Sequence, residues 1–256
     1  MFVDVALTHN EAAHIDATAF GAVAVIDVLR ATTTILTALE NGARGVVPVA
    51  TPEEALLWRQ RRHDVLLGGE RGAVRIPGFD LGNSPLDYSP AVVQGKLVVL
   101  TTTNGTQSFR RVQSADRDRP GGGPAVFAAC LRNARAAARA AAEAARDAGR
   151  GVLLVCSGTD GRFSREDAYC AAVVLQHLES MADVARGDGA DAVARLAPPD
   201  VPPMGHVAGS FHGRRLLALG LRDDVEFCAE TDVSEGVPRL VSGMLVLAGT
   251  GGSNGE

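Results

Sequence analysis

The chain has 256 residues, 46% of them hydrophobic and 21% charged, the balance of a folded α/β-sized unit with a sizeable core and not of a disordered or fibrous chain. A formal net charge of −5 and a pI near 5.7 supply no overall positive field, so neither nucleic acid nor an anionic membrane is an expected partner. Its four cysteines include no C-x-x-C pair, which signals neither a zinc site nor a disulfide framework, and an amino terminus without a basic start and apolar run points to a cytoplasmic protein with no membrane span.

Residues 2–7 alternate well enough for a first strand, and 22–27 form a continuous apolar run of the kind buried in a parallel sheet. That run ends in Asp27-Val-Leu-Arg30-Ala-Thr-Thr-Thr34, an acid, a base three residues on, and a hydroxyl cluster. Thr51-Pro52-Glu53-Glu54 opens a helix to about Arg62, with a capping hydroxyl, proline at the first position and an acid three residues after the cap. A short strand at 65–67 runs into Gly68-Gly-Glu70-Arg71-Gly72 and then into a long irregular, polar segment at 76–85, a type of loop that is often functional.

The segment 96–106 again reads as strand, polar turn and helix start, ending in Thr101-Thr-Thr-Asn104-Gly-Thr106. Residues 116–124 form a linker where a lobe boundary is expected, giving lobes 1–118 and 125–248 within one compact domain spanning 1–256. Residues 131–148 are rich in alanine and read as a helix. A third unit, 152–167, carries Cys156-Ser-Gly-Thr-Asp160-Gly-Arg162 and Ser164-Arg-Glu-Asp167. The proline-rich stretch 187–205 reads as an exposed loop, 210–219 as a helix, 225–228 as a strand and 249–256 as a disordered tail. Repeated strand-turn-helix units predict an α/β fold, three-layer α/β/α with a mainly parallel sheet and two lobes in one unit.

Ligands of open α/β sheets settle beyond the carboxyl ends of the strands, where helix N-termini present free N–H groups to anions. Thr32, Thr102 and Ser164 are also residue types that cap helices, and Ser164-Arg-Glu-Asp167 is itself a capping box. Asp80 and Asn83 have side chains that organise turns. The candidate carboxylates are Asp27, Glu70, Asp80, Asp160 and Asp167, an oxygen-only set that suits magnesium, which takes one or two carboxylates together with waters and phosphate oxygens. Arg30 and Arg71 offer the planar fork that fits a phosphate or sulfonate. These groups permit phosphoryl transfer to water. The histidines show no ligand spacing and read as incidental.

A competing reading takes Cys156 and Arg162 as the C-x-x-x-x-x-R signature of a cysteine-dependent phosphatase. A third reading is a non-catalytic anion-binding module that keeps the pocket without the chemistry.

Asp27-Val-Leu-Arg-Ala-Thr-Thr-Thr34, Gly69-Glu-Arg71, Gly78-Phe-Asp-Leu-Gly-Asn-Ser-Pro85, Thr102-Thr-Asn-Gly-Thr106 and Asp224-Val-Glu-Phe-Cys228 together resemble the 2-phosphosulfolactate phosphatase family of coenzyme M biosynthesis, over about residues 3–247. The resemblance implies a magnesium-dependent acid phosphatase of α/β/α fold that converts (R)-2-phospho-3-sulfolactate to 3-sulfolactate and phosphate. It implies Asp27, Glu70 and Arg30 as catalytic groups, Arg71, Asn83, Thr102, Asn104, Thr106 and Asp160 around the substrate, and Asp27, Glu70, Asp80 and Asp167 as candidates for Mg2+. Arg162 and Arg165 are further candidates for a locally basic pocket. A homodimer is expected of such an enzyme.

Overall fold

A computed structural model of the chain describes residues 1–114, 123–198 and 201–248. Among them run the strands β1 (Phe2–Ala6), β2 (Phe20–Ile26), β3 (Gly45–Pro48), β4 (Val65–Arg71), β5 (Val74–Arg75), β6 (Leu97–Thr101), β7 (Ala125–Ala129), β8 (Gly151–Cys156), β9 (Ala185–Arg186), β10 (Pro238–Val241) and β11 (Met244–Leu247). They join in one sheet in the order β5-β4-β6-β3-β11-β10-β7-β2-β8-β1-β9. The pairs β4/β6, β6/β3, β7/β2, β2/β8, β8/β1 and β1/β9 are parallel. The antiparallel hairpin β10–β11 stitches the two parallel groups together, pairing with β7 on one side and β3 on the other.

Side chains leave a strand on alternate faces, and here both faces are buried. Ala22, Ala24 and Ile26 of β2 join Val152, Leu154 and Cys156 of β8 in one core, against the helices Ala134–Ala148 and Arg165–Met181. Val23, Val25, Leu153 and Val155 point the other way, into a second core with Ile35 and Ala38 of helix Ala31–Glu40 and Phe109 of helix Gly105–Ser114. On β6 the same alternation sends Val98 and Leu100 into that second core, and Leu97 and Val99 into a third one with Ala55 of helix Pro52–Arg61. The sheet therefore has helices on both faces, the three-layer α/β/α arrangement expected of the sequence.

Helix starts follow local chemistry. Thr51 Oγ1 accepts from Glu54 N at 3.2 Å, and the Glu54 carboxylate reaches back to Ala50 N at 2.8 Å, ahead of Pro52 at the first position. The alanine-rich helix Ala134–Ala148 ends on Gly149, which adopts the left-handed conformation (φ 62°) that closes helices.

Three expectations change. Residues 225–228 are not a strand but lie inside helix Arg222–Ala229, because Asp224, Val225 and Cys228 are buried at a spacing of one and then three residues, the period of a helix. The stretch 187–205 is not one loop: it holds helix Asp188–Ala194 and helix Pro203–Ala208, the prolines of the latter sitting at its start, where no N–H is needed. The expected lobes are not the two halves of the sheet, since β1 and β2 pair with β7 and β8 from beyond residue 125. The expected linker lies largely, and the expected tail wholly, outside the described residues.

Candidate active site

Asp27 is the first residue past β2, and its loop is tightly bonded before helix Ala31–Glu40 begins. Asp27 N donates to Thr32 Oγ1 at 3.1 Å while that hydroxyl donates to Asp27 O at 2.7 Å. Ala31 N donates to Asp27 Oδ1 at 3.1 Å, so the carboxylate sits on the N-terminus of the helix. Arg30 is 3% exposed; its Nη1 donates to Asp224 Oδ2 at 2.6 Å and its Nε is buried without a partner. Asp224 Oδ1 in turn accepts from Ser84 Oγ at 2.6 Å, which ties helix Arg222–Ala229 to both the Asp27 loop and the Asn83 loop.

Glu70 lies near the end of β4. Its Oε1 accepts from Thr103 N and Thr103 Oγ1, both at 2.9 Å, and its Oε2 from Ala73 N at 2.8 Å. Three donors from two loops thus hold the side chain in one orientation. Past β6, Asn104 Oδ1 accepts from Asp160 N at 3.2 Å, joining the loops that follow β6 and β8. Asn83 is buried, and its Oδ1 has no hydrogen-bond partner.

Four strands separate β2 from β6 in the sheet, about 24 Å across a flat sheet at the usual strand spacing. Yet a Cβ placed on Gly105, at the start of helix Gly105–Ser114, would stand 2.6 Å from Asp27 Oδ2 and 2.6 Å from Ala31 Cβ. The sheet must curl for these ends to meet, and only a residue without a side chain lets this helix start lie against Asp27.

These loops surround a cavity of about 180 Å³ walled by Asp27, Arg30, Glu70, Asn83, Thr102 and Asn104, with Thr103, Thr159, Asp160, His212 and Arg215 completing it. That is smaller than sites for drug-sized ligands and suits a small metabolite. Burial pushes the Asp27 carboxyl up to about 7; the amide of Ala31 pulls it down, and the nearby Glu70 and Glu166 carboxylates add to the rise. Burial also pushes the His212 imidazole below its usual value, opposed by Glu166 and reinforced by Arg30 and Arg215.

Of the residues singled out in the sequence, Asp27, Arg30, Glu70, Asn83, Thr102, Asn104 and Asp160 come together in this wall. Others are not part of it. Asp80 pairs with Arg59 and accepts from Leu67 N at 2.8 Å, outside the cavity. Asp167 gives one oxygen to Val28 N (2.9 Å) and the other to Gly158 N (3.0 Å), clamping the loops after β2 and β8, and burial holds its carboxyl well above the ordinary range. Arg71 is spent on Glu70 O, Thr101 and Ala50 O. Thr106 Oγ1 donates to Thr102 O, inside the helix start. Arg162 and Arg165 are exposed and absent from the wall. Of the candidate caps, Ser164 accepts from Asp167 N and Thr102 from Thr106 N, whereas Thr32 lies inside its helix.

His212 and Arg215 are in the wall although neither lies in any of the five sequence motifs; they sit on helix Phe211–Ala218, far along the chain. The signal that could have found them is the i, i+3 pairing of two cationic types on one helix face.

The Cys156–Arg162 loop does not form a phosphate cradle. Cys156 is fully buried, and burial holds its thiol well above the usual range, against a thiolate. The loop amides are already engaged: Ser157 N with Ile26 O, Gly158 N with Asp167, Thr159 N with Arg162 O and Asp160 N with Asn104.

The family model described as 2-phosphosulpholactate phosphatase matches residues 7–243. A protein of Thermotoga petrophila is 44% identical over 224 residues, 87% of this chain and 90% of its own, and one of Deinococcus radiodurans is 43% identical over 225 residues, 88% of this chain and 90% of its own. A protein of Carboxydothermus hydrogenoformans is 40% identical over 228 residues, covering 88% and 90% of the two chains. All three are named probable 2-phosphosulfolactate phosphatase.

Proposed function

Because the chain belongs to the 2-phosphosulfolactate phosphatase family, and so to the phosphoric monoester hydrolases, we propose that it hydrolyses (R)-2-phospho-3-sulfolactate to 3-sulfolactate and phosphate in the Asp27–Glu70 cavity. The observation that carries this reading is the convergence of Asp27, Arg30, Glu70 and Asn104, from three separate strand ends, on one small cavity.

Water supplies the oxygen that bonds to phosphorus, and the ester P–O bond breaks with its electron pair passing to the sulfolactate oxygen, which takes up a proton from solvent. Asp27 Oδ2 takes no internal hydrogen bond among those of the described residues and is the acceptor for the proton of the attacking water. Arg30, fixed by Asp224, lines the cavity and brings positive charge to the phosphoryl group. The start of helix Gly105–Ser114 adds a positive dipole end, which favours a bound anion. Thr102, Asn104 and Asp160 complete the polar wall around the leaving group.

Magnesium fits this donor set. Asp27 and Glu70 are two carboxylates, and the Asn83 amide oxygen is a buried acceptor without a partner. No three acidic, imidazole or thiol groups gather into an all-protein metal cage among the described residues, in keeping with an ion that relies on waters and substrate phosphate. Asp27 and Glu70 would hold it. When bound, it offsets charge on the phosphoryl group and lowers the pKa of water. Neither Asp80 nor Asp167 belongs with them, since neither lines the cavity.

The test is phosphate release from (R)-2-phospho-3-sulfolactate with excess Mg2+ and with excess EDTA. Release that falls to background in EDTA is expected; full activity in EDTA overturns the role of the ion, and no release under either condition overturns the substrate. In the same assay Asp27→Asn is expected to lose about 100-fold or more in kcat, the scale of a lost general base, while its thermal midpoint stays at or above wild type.

A further inference from the structure

Helix Phe211–Ala218 supplies the part of the cavity wall that no strand end provides. Its two wall residues, His212 and Arg215, are three positions apart and so share a face. The charges around them are unevenly matched. Arg30 is already neutralised by Asp224 at 2.6 Å, whereas the Arg215 guanidinium has no ion pair or hydrogen bond among the described residues. Its Nη2 lies 3.5 Å from where a Cβ on Gly72 would stand, which places it over the turn between β4 and β5. His212 has its Nδ1 buried without a partner, which leaves Nε2 as the ring nitrogen able to meet a ligand.

A guanidinium carries donors and no acceptors, so an unpaired one facing a cavity calls for an anion. The function proposed above, on which this inference rests, gives the substrate two anionic groups besides the phosphate. The carboxylate is attached directly to the phosphate-bearing carbon; the sulfonate stands one methylene farther out. The phosphoryl end is bound by the strand-end loops, so the farther arm is the one left for the wall that helix Phe211–Ala218 supplies. We propose that Arg215 and His212 are the specificity-determining pair of this enzyme and receive the substrate's sulfonate.

The test compares three esters on the full chain: 2-phospho-3-sulfolactate, 2-phospholactate, which lacks the sulfonate, and the analogue that keeps the sulfonate and lacks the carboxylate. For Arg215→Ala and His212→Ala, KM is expected to rise about 10- to 100-fold on both sulfonated esters with kcat little changed, the scale of a lost charge-assisted hydrogen bond. The loss on 2-phospholactate should be at least several-fold smaller than on the sulfonated esters, and Arg215→Lys should recover part of the loss. An equal loss on all three esters, or a loss that follows the carboxylate, overturns the assignment. If wild type releases phosphate from none of them, the phosphatase reading fails. Calorimetric binding of 3-sulfolactate then decides the pair on its own: weaker binding by Arg215→Ala supports it and unchanged binding overturns it.

Discussion

Asp27 and Arg30 show how burial gives two ordinary surface residue types special properties. Asp27 is 7% exposed and its carboxyl stands at about 7 in the folded chain against an ordinary 3.8. Folding therefore favours the protonated form, so the group's contribution to stability is complete below 3.8 and is lost as pH rises through about 7. In EDTA, the stability of wild type relative to Asp27→Asn is expected to fall across that window, as read from urea midpoints at several pH values; a constant difference would contradict it. Arg30 depends on Asp224 in the opposite sense. Asp224→Ala leaves a buried guanidinium uncompensated and is expected to cost about 3–5 kcal/mol in denaturant unfolding, with a parallel loss of turnover. The motif around Asp27 was legible because an acid and a base at a strand end are unusual. The role of Asp224 was not: a residue nearly two hundred positions away reveals its partner only when the chain is folded.

Among the elements, the strand-turn-helix units following β2, β6 and β8 were readable from apolar runs ending in polar turns, since burial on both faces leaves that imprint. The hairpin β10–β11 was missed, although Val241-Ser-Gly-Met244 carries its turn: Ser242 (φ 48°) and Gly243 (φ 86°) take the positive φ of a two-residue hairpin loop. Helix Arg222–Ala229 was misread because a short apolar run fits either period until its packing is known. Helix Gly105–Ser114 approaches Asp27 so closely that Gly105→Ala must push either Ala31 or the carboxylate aside. This variant is expected to lose about 10-fold or more in kcat and about 1–3 kcal/mol of stability, measured by phosphate release and by denaturant unfolding.

At the scale of the molecule, the β10–β11 hairpin is what makes one sheet from two parallel groups. A chain ended at residue 236 would uncover the facing edges of β3 and β7. Such edges recruit further strands, so concentration-dependent association in light scattering is expected of that truncation, with the intact chain as control. Composition, apolar periodicity and the five motifs were enough to determine the α/β class, most strand ends and the place of Asp27 and Glu70 at two of those ends, because strand burial and turn chemistry are local and each segment carries them alone. The tertiary structure decided the rest: which acids line the cavity, with Asp80 and Asp167 held outside it by Arg59 and by backbone amides, and which distant helix closes it with His212 and Arg215. Those outcomes depend on the curl of the sheet and on competition among donors for each carboxylate, and both arise only between segments far apart in the chain.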